Sequence, residues 1–297
     1  MTDQAVGVIG IGAMGMGIAR NLLARGYAVH VRDIRAEAED EARRAGAVVH
    51  ASPASLAAAC AVVLTVVVDD AQTETVLFGP DGVAGTLGRE AVVVLHSTLA
   101  PAFVTAAAER LAARGLAMVD APISGGPARA RDGSMSMMIA GAPDARGRAD
   151  RVLADAAAKR FVIGDRPGDG ARMKLVNNAL AAVNLAAAGE AMALAMRLGL
   201  DARTAHDVIC ASSGGSWIFA DRMPRVLAGD YATRAAARVL AKDMGLFLDV
   251  AAAADYAAPI AEAARGAFLQ ALAEGHAEED DAAVIKPYAR AAGVKLP

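Results

Sequence analysis

The chain has 297 residues, carries 30 Lys and Arg against 33 Asp and Glu for a net charge of -3, and is 55% hydrophobic. That length exceeds one ordinary domain, so two domains are expected, and the near-neutral charge gives no electrostatic case for nucleic acid or an anionic membrane. Cys60 and Cys210 are the only cysteines, and they lie 150 positions apart. This argues against a disulfide framework and a zinc site, and fits a reducing cytoplasm.

In chain order, the stretch before Ala5 leaves no room for a charged and then apolar leader, so no targeting segment is expected. From Val6 to about residue 163, short β-branched runs ("VGVIG", "AVHVRD", "VVLTVVV", "VVVLHS", "AMVDAPIS") alternate with segments rich in Ala, Leu and Arg. This alternation predicts a βαβ series. Runs such as "AVVLTVVV" have no polar face, as parallel strands covered by helices on both sides require. After "VIGDRPGDG" the character changes. Between Ala171 and Leu198 Gly189 is the sole glycine, there is no proline, and small apolar residues run nearly all round. Such a helix is expected to be buried and to form the spine of a second, all-helical domain. "TAHDVICASS", "AARVLAKDMGLFLDVAAAA" and "APIAEAARGAFLQALAEG" also read as helices, with Gly/Pro punctuation at 214–215, 224, 245, 259 and 275. The expected fold class is therefore an α/β Rossmann-like, doubly wound parallel sheet over 1–165, followed by an all-α domain over 166–297.

"VGVIGIGAMGMG" places Gly10, Gly12 and Gly15 in a G-x-G-x-x-G frame between a predicted strand and a predicted helix. Gly10 suits the tight turn, Gly12 the approach of backbone to a pyrophosphate, and Gly15 the packing of helix on strand, with Ala13 and Met14 at the helix N-terminus facing the anion. Asp33 ends the second strand, where an acid that bonds the adenosine ribose hydroxyls belongs. An acid there repels a 2′-phosphate, which favours NAD over NADP, although Arg32 and Arg35 flank it and partly offset the repulsion.

Two loops at predicted strand ends are candidates for the substrate side. "DAPISGGPARARDG" offers Ser124, Gly125 and Gly126 to a carboxylate, and "HSTLAP" offers Ser97 and Thr98. Each alone reads as an ordinary loop; their joint occurrence is the argument. In "GDGARMKLVNN", Lys174 and Asn178 are one helical turn apart and share a face, with Asn177 beside them. A lysine in an apolar setting near a cationic nicotinamide has its neutral form favoured and suits general acid/base work, whereas spacing alone equally allows a snorkelling lysine at a helix start. No metal site is expected.

"VIGIGAMGMGIARNL", "HSTLAP", "DAPISGG", "GDGARMKLVNN" and "AKDMGLFLD", in this order and spacing over nearly the whole chain, resemble the β-hydroxyacid dehydrogenase family. The resemblance implies an NAD(P)-dependent hydroxyacid dehydrogenase that assembles as a homodimer or homotetramer. It makes Lys174 the catalytic acid/base, Asn178 a substrate-orienting residue, Ser124, Gly125 and Gly126 the carboxylate-binding loop, and Thr98 and Lys242 contacts to the nicotinamide end. Within the family, the C-terminal half resembles members acting on a four-carbon sugar acid such as L-threonate, for which Ser212, Ser213, Trp217 and His276 are candidate polar partners or, equally, a cap, a core aromatic and a surface histidine. The alternatives are 3-hydroxyisobutyrate oxidation, tartronate semialdehyde reduction, or a non-catalytic NAD(H)-binding protein, against which the intact lysine and loop speak. Three departures stand out: Arg129 just beyond the carboxylate loop where many members have glycine, no aromatic before Lys242, and Asp33 in place of an Asn-Arg pair.

Overall fold

The computed structural model describes residues 5–297; the residues before Ala5, on which the absence of a leader was argued, lie outside the described residues. The chain divides into two compact units between Lys174 and Leu175. The first unit is built on a sheet of β1 (Ala5–Ile9), β2 (Ala28–Arg32), β3 (Val48–Val49), β4 (Val62–Thr65), β5 (Val92–Leu95), β6 (Ala117–Asp120), β7 (Ile123–Ser124), β8 (Ser136–Ala140) and β9 (Lys159–Gly164). Their spatial order is β3-β2-β1-β4-β5-β6-β8-β7, with β9 on the other side of β8.

From β3 to β6 every pairing is parallel, as the continuous apolar runs predict. Alternate residues of each strand enter two different cores. Val62, Leu64, Val92 and Val94 join one with Ile18 and Leu22, and Val63, Val93 and Leu95 join the other with Leu56, Leu77 and Leu111. A strand flanked by apolar cores on both faces has no solvent-facing row for polar residues, hence the missing alternation. The sheet is the expected doubly wound, parallel-dominated one, with antiparallel pairing at β8, which runs antiparallel to β6 and β7 and parallel to β9.

The helices of the first unit are α1 (Ala13–Ala24), α2 (Ala36–Arg44), α3 (Pro53–Ala57), α4 (Asp70–Phe78), α5 (Pro101–Ala112), α6 (Gly126–Asp132) and α7 (Pro143–Ala156). α1 and α6 touch at Gly17, where a Cβ would come within 2.9 Å of Ala130 Cβ. This close approach brings the helix after the glycine loop against the helix after the Ser124 loop.

α8 (Asp169–Arg197) begins in the first unit and continues into the second, which adds α9 (Ala202–Cys210), α10 (Trp217–Leu227), α11 (Ala237–Ala253), α12 (Pro259–Ala273) and α13 (Ile285–Ala292). Ala182, Leu185, Ala186 and Met192 of α8 pack with Phe219, Met223, Met244, Phe268 and Ile285 in one core. The helix is long and apolar enough to cross a bilayer, yet this face is filled by protein. Burial all round does not hold, because Met173, Val176, Leu180 and Leu194 are exposed in the single chain; the neighbouring helices cover one side only. Two punctuation marks are also overridden: α10 runs through Pro224 and α11 through Gly245.

Candidate active site

The glycine loop leaves β1 at Gly10, whose φ of +86° and whose missing Cβ, which would lie 2.6 Å from Val66 O, both exclude a side chain. At Gly15 a Cβ would stand 2.0 Å from Gly10 O, so the first turn of α1 folds directly onto the loop. Gly12 is different. It is the N-cap of α1 without a side-chain cap, and the nearest atom to a Cβ there is an Arg35 nitrogen at 3.8 Å. The loop thus presents an open, side-chain-free face at the N-terminus of α1, beside Ala13 and Met14, which fits the pyrophosphate of a dinucleotide.

Asp33, directly after β2, is buried at 7% exposure. Its Oδ2 accepts the Ile11 N–H at 2.8 Å and an Arg35 guanidinium N–H at 3.1 Å. Its Oδ1 accepts the Arg35 backbone N–H at 2.9 Å and Nε–H at 3.0 Å. Burial opposes ionisation, but the Arg35 guanidinium and the backbone donors outweigh it and hold the carboxyl below the usual range. Asp33 is therefore an anchored anion that ties the glycine loop to the end of β2. Arg32, the other flanking arginine, turns to Glu39 at 2.6 Å.

At the end of β5, His96 and Ser97 are buried and Thr98 is half-buried. His96 donates from Nδ1 to Ala121 O at 2.6 Å, joining the ends of β5 and β6. Burial pushes its imidazole down to about 4, so it is neutral and its Nε2 carries no proton. The half-buried Ser124 pairs with Ser136 across β7 and β8. Gly125 follows at φ +132°, and a Cβ there would meet Arg129 Cδ at 2.8 Å. The arginine that departs from the family pattern thus lies back over the 124–126 loop.

Lys174 is buried at 7% exposure in the second turn of α8, and Asn178 is half-buried one turn on. The start of α8 is fixed by Asp120 at the end of β6. Its Oδ2 accepts N–H from Gly168 at 2.8 Å and from Ala171 at 2.9 Å. Burial raises the Asp120 carboxyl to about 6 against the opposing pull of these amides. In the second unit, Asn178 Nδ2 donates to Asp243 Oδ2 at 2.7 Å, its Oδ1 accepts from Asn177 at 3.1 Å, and the Lys242 ammonium lies 3.0 Å from Asp243 Oδ1. Sequence reasoning missed Asp120, Asp243 and His96 as site residues, although all three lie inside the quoted motifs.

The remaining candidates are scattered. Ser212 and Ser213 are exposed in the loop after α9, Trp217 is half exposed, and His276 is paired with Glu279 at 3.1 Å. An open pocket of about 740 Å³ lined by Tyr231, Lys286, Arg290 and Lys295 contains no predicted site residue, and its Lys286 is already engaged by Glu279.

A glycine loop at a helix N-terminus, closed by a buried acid at the second strand of a β3-β2-β1-β4-β5-β6 sheet, defines the first unit as a dinucleotide-binding domain of the kind oxidoreductases use for NAD(P). Comparison with known proteins agrees: residues 5–164 match the NAD binding domain of 6-phosphogluconate dehydrogenase, and residues 168–288 match the domain described as NAD-binding of NADP-dependent 3-hydroxyisobutyrate dehydrogenase. The chain belongs to the 3-hydroxyisobutyrate dehydrogenase-like, or β-hydroxyacid dehydrogenase, family. It is 45% identical to an L-threonate dehydrogenase of Cupriavidus necator over 99% of this chain and 98% of that one. It is 39% identical to the L-threonate dehydrogenase of Escherichia coli K12 over 98% and 96%. A crystal structure described as 3-hydroxyisobutyrate dehydrogenase from Salmonella typhimurium is 38% identical with a TM-score of 0.91, covering 96% of this chain and all of that one. The protein is thus a hydroxyacid dehydrogenase that uses NAD(P).

Proposed function

We propose that the protein oxidises L-threonate to its 2-oxo acid with NAD as the preferred cofactor. The observation that carries the chemistry is the buried Lys174, held in the opening turns of a helix whose start is anchored by Asp120. Bound NAD supplies the hydride acceptor. Lys174 takes the proton of the reacting hydroxyl, Ser124 with the amides of Gly125 and Gly126 holds the carboxylate, and Asn178, oriented by Asp243, directs the hydroxyl. Asp33 supports NAD over NADP, since a second anion against a buried carboxylate is repelled. Identity of 45% over nearly full length to an L-threonate dehydrogenase supports the substrate. A second reading, 3-hydroxyisobutyrate, is favoured by the description of the Salmonella structure.

The test is reduced-cofactor formation by the purified protein with L-threonate, D-erythronate, 3-hydroxyisobutyrate, glycerate and tartrate, each with NAD and NADP. Turnover is expected on L-threonate with NAD. Turnover on 3-hydroxyisobutyrate without L-threonate replaces the substrate, and a preference for NADP overturns the reading of Asp33. The proposal includes a homodimer or homotetramer, supported by the exposed apolar row Met173, Val176 and Leu180 on α8; a monomer by sedimentation contradicts it.

A further inference from the structure

Outside the family motifs, α9 carries an arrangement that the dehydrogenase reaction does not use. Cys210, its last residue, is exposed, and its Sγ lies 3.4 Å from His206 Nε2, one helical turn earlier. The other ring nitrogen, Nδ1, lies 2.9 Å from Asp207 Oδ1. A carboxylate accepts, so Nδ1 carries the proton and Nε2 is the acceptor facing the thiol. The ring is also held from the side: it stacks on Phe219 of α10 with centroids 5.6 Å apart and planes 13° from parallel. The imidazole is 16% exposed while Cys210 is exposed, so the base is sheltered and the nucleophile open. Nucleophile, base and orienting carboxylate are the parts that activated thiols share.

We infer that Cys210 is a reactive thiol assisted by His206 and Asp207, a site for reversible thiolation by low-molecular-weight disulfides. In that step the Cys210 S–H gives its proton to His206 Nε2 and the thiolate attacks one sulfur of the disulfide. The S–S bond of the reagent breaks, its second sulfur leaves with the electron pair as a thiolate, and Cys210 is left in a mixed disulfide that a free thiol reverses. The added group sits where the chain turns from α9 to α10, among exposed residues 211–215, so it meets no buried wall. Cys60 is the built-in contrast. It is buried at 6% exposure, and burial pushes its thiol up to about 12, which keeps it a buried apolar group rather than a nucleophile.

The experiment is timed reaction of the native full-length protein with oxidised glutathione and, separately, with an aromatic disulfide reagent, followed by peptide mass spectrometry. The inference predicts one fast adduct, on Cys210, with Cys60 modified only after denaturation. It also predicts at least a tenfold slower reaction in His206→Gln and a smaller slowing in Asp207→Asn, with circular dichroism and both denatured thiols unchanged. Equal rates in wild type and His206→Gln, no reaction at Cys210, or equal labelling of the two cysteines overturns it. None of these outcomes depends on the substrate of the dehydrogenase.

Discussion

Replacing Asp120 tests how the start of α8 is held. Both N–H donors from Gly168 and Ala171 end on one oxygen, Oδ2, of a side chain that is 1% exposed. Asp120→Asn can place its amide oxygen there and keep them, whereas Asp120→Ala strands both. A buried donor without a partner costs about 1–3 kcal/mol, so the Ala variant should be locally weaker than the Asn variant by about 2–6 kcal/mol. Charge does not enter, because both variants are neutral. Hydrogen exchange of peptides covering residues 166–174 reads this directly: protection should be lost in Asp120→Ala and kept in Asp120→Asn, a ratio of roughly thirtyfold or more at ~1.4 kcal/mol per decade. The wild type adds a pH signature. A carboxyl raised from 3.8 to about 6 binds its proton more tightly folded than unfolded, so its contribution is fully present below the unfolded value. That contribution is lost as pH climbs towards the folded value, to the extent of about 3 kcal/mol. Wild type should therefore lose stability relative to Asp120→Asn between those two values and run parallel to it above. Equal protection in the Ala and Asn variants would refute the anchoring role.

Further outcomes follow from other contacts. Gly15→Ala puts a Cβ 2.0 Å from Gly10 O, so saturable NADH fluorescence should disappear while the far-UV spectrum stays native; unchanged binding contradicts the loop geometry. If Asp33 faces the ribose as proposed, Asp33→Asn removes the anion there and should raise the NADP-to-NAD ratio of kcat/KM about tenfold or more, and an unaltered ratio contradicts the proposed role. Arg222 of α10 is buried and forked onto Asp281, with Asp221 on its other side. Arg222→Ala strands the Asp281 carboxylate and should cost about 3–5 kcal/mol, read by urea unfolding through Trp217, the chain's sole tryptophan, on the same helix. An unshifted midpoint contradicts the burial of that pair.

Strands covered on both faces were the most legible in the sequence, because two apolar cores leave no polar alternation in "VVLT" or "VVVL". The far edge was not. β8 is methionine-rich and serine-led, with Ile139 its one β-branched residue, and β9 exposes nearly every residue. α10 was hidden by Pro224, which its packing through Phe219 and Met223 tolerates. In the site, the tight turn at Gly10 and the close approach at Gly15 were legible because they depend on local backbone form. Asp120 and Asp243 were not, since their partners lie 48 and 65 residues away in the chain. The apolar row left open on α8 shows the limit of periodicity, which tells that a face is greasy but not what covers it.

The measurement that bears most directly on the central claim is turnover of Lys174→Ala with NAD and L-threonate, beside a titration of NADH binding. The account predicts a loss in kcat of about 10² to 10⁴ with NADH affinity nearly intact. Turnover equal to wild type would remove Lys174 from the chemistry.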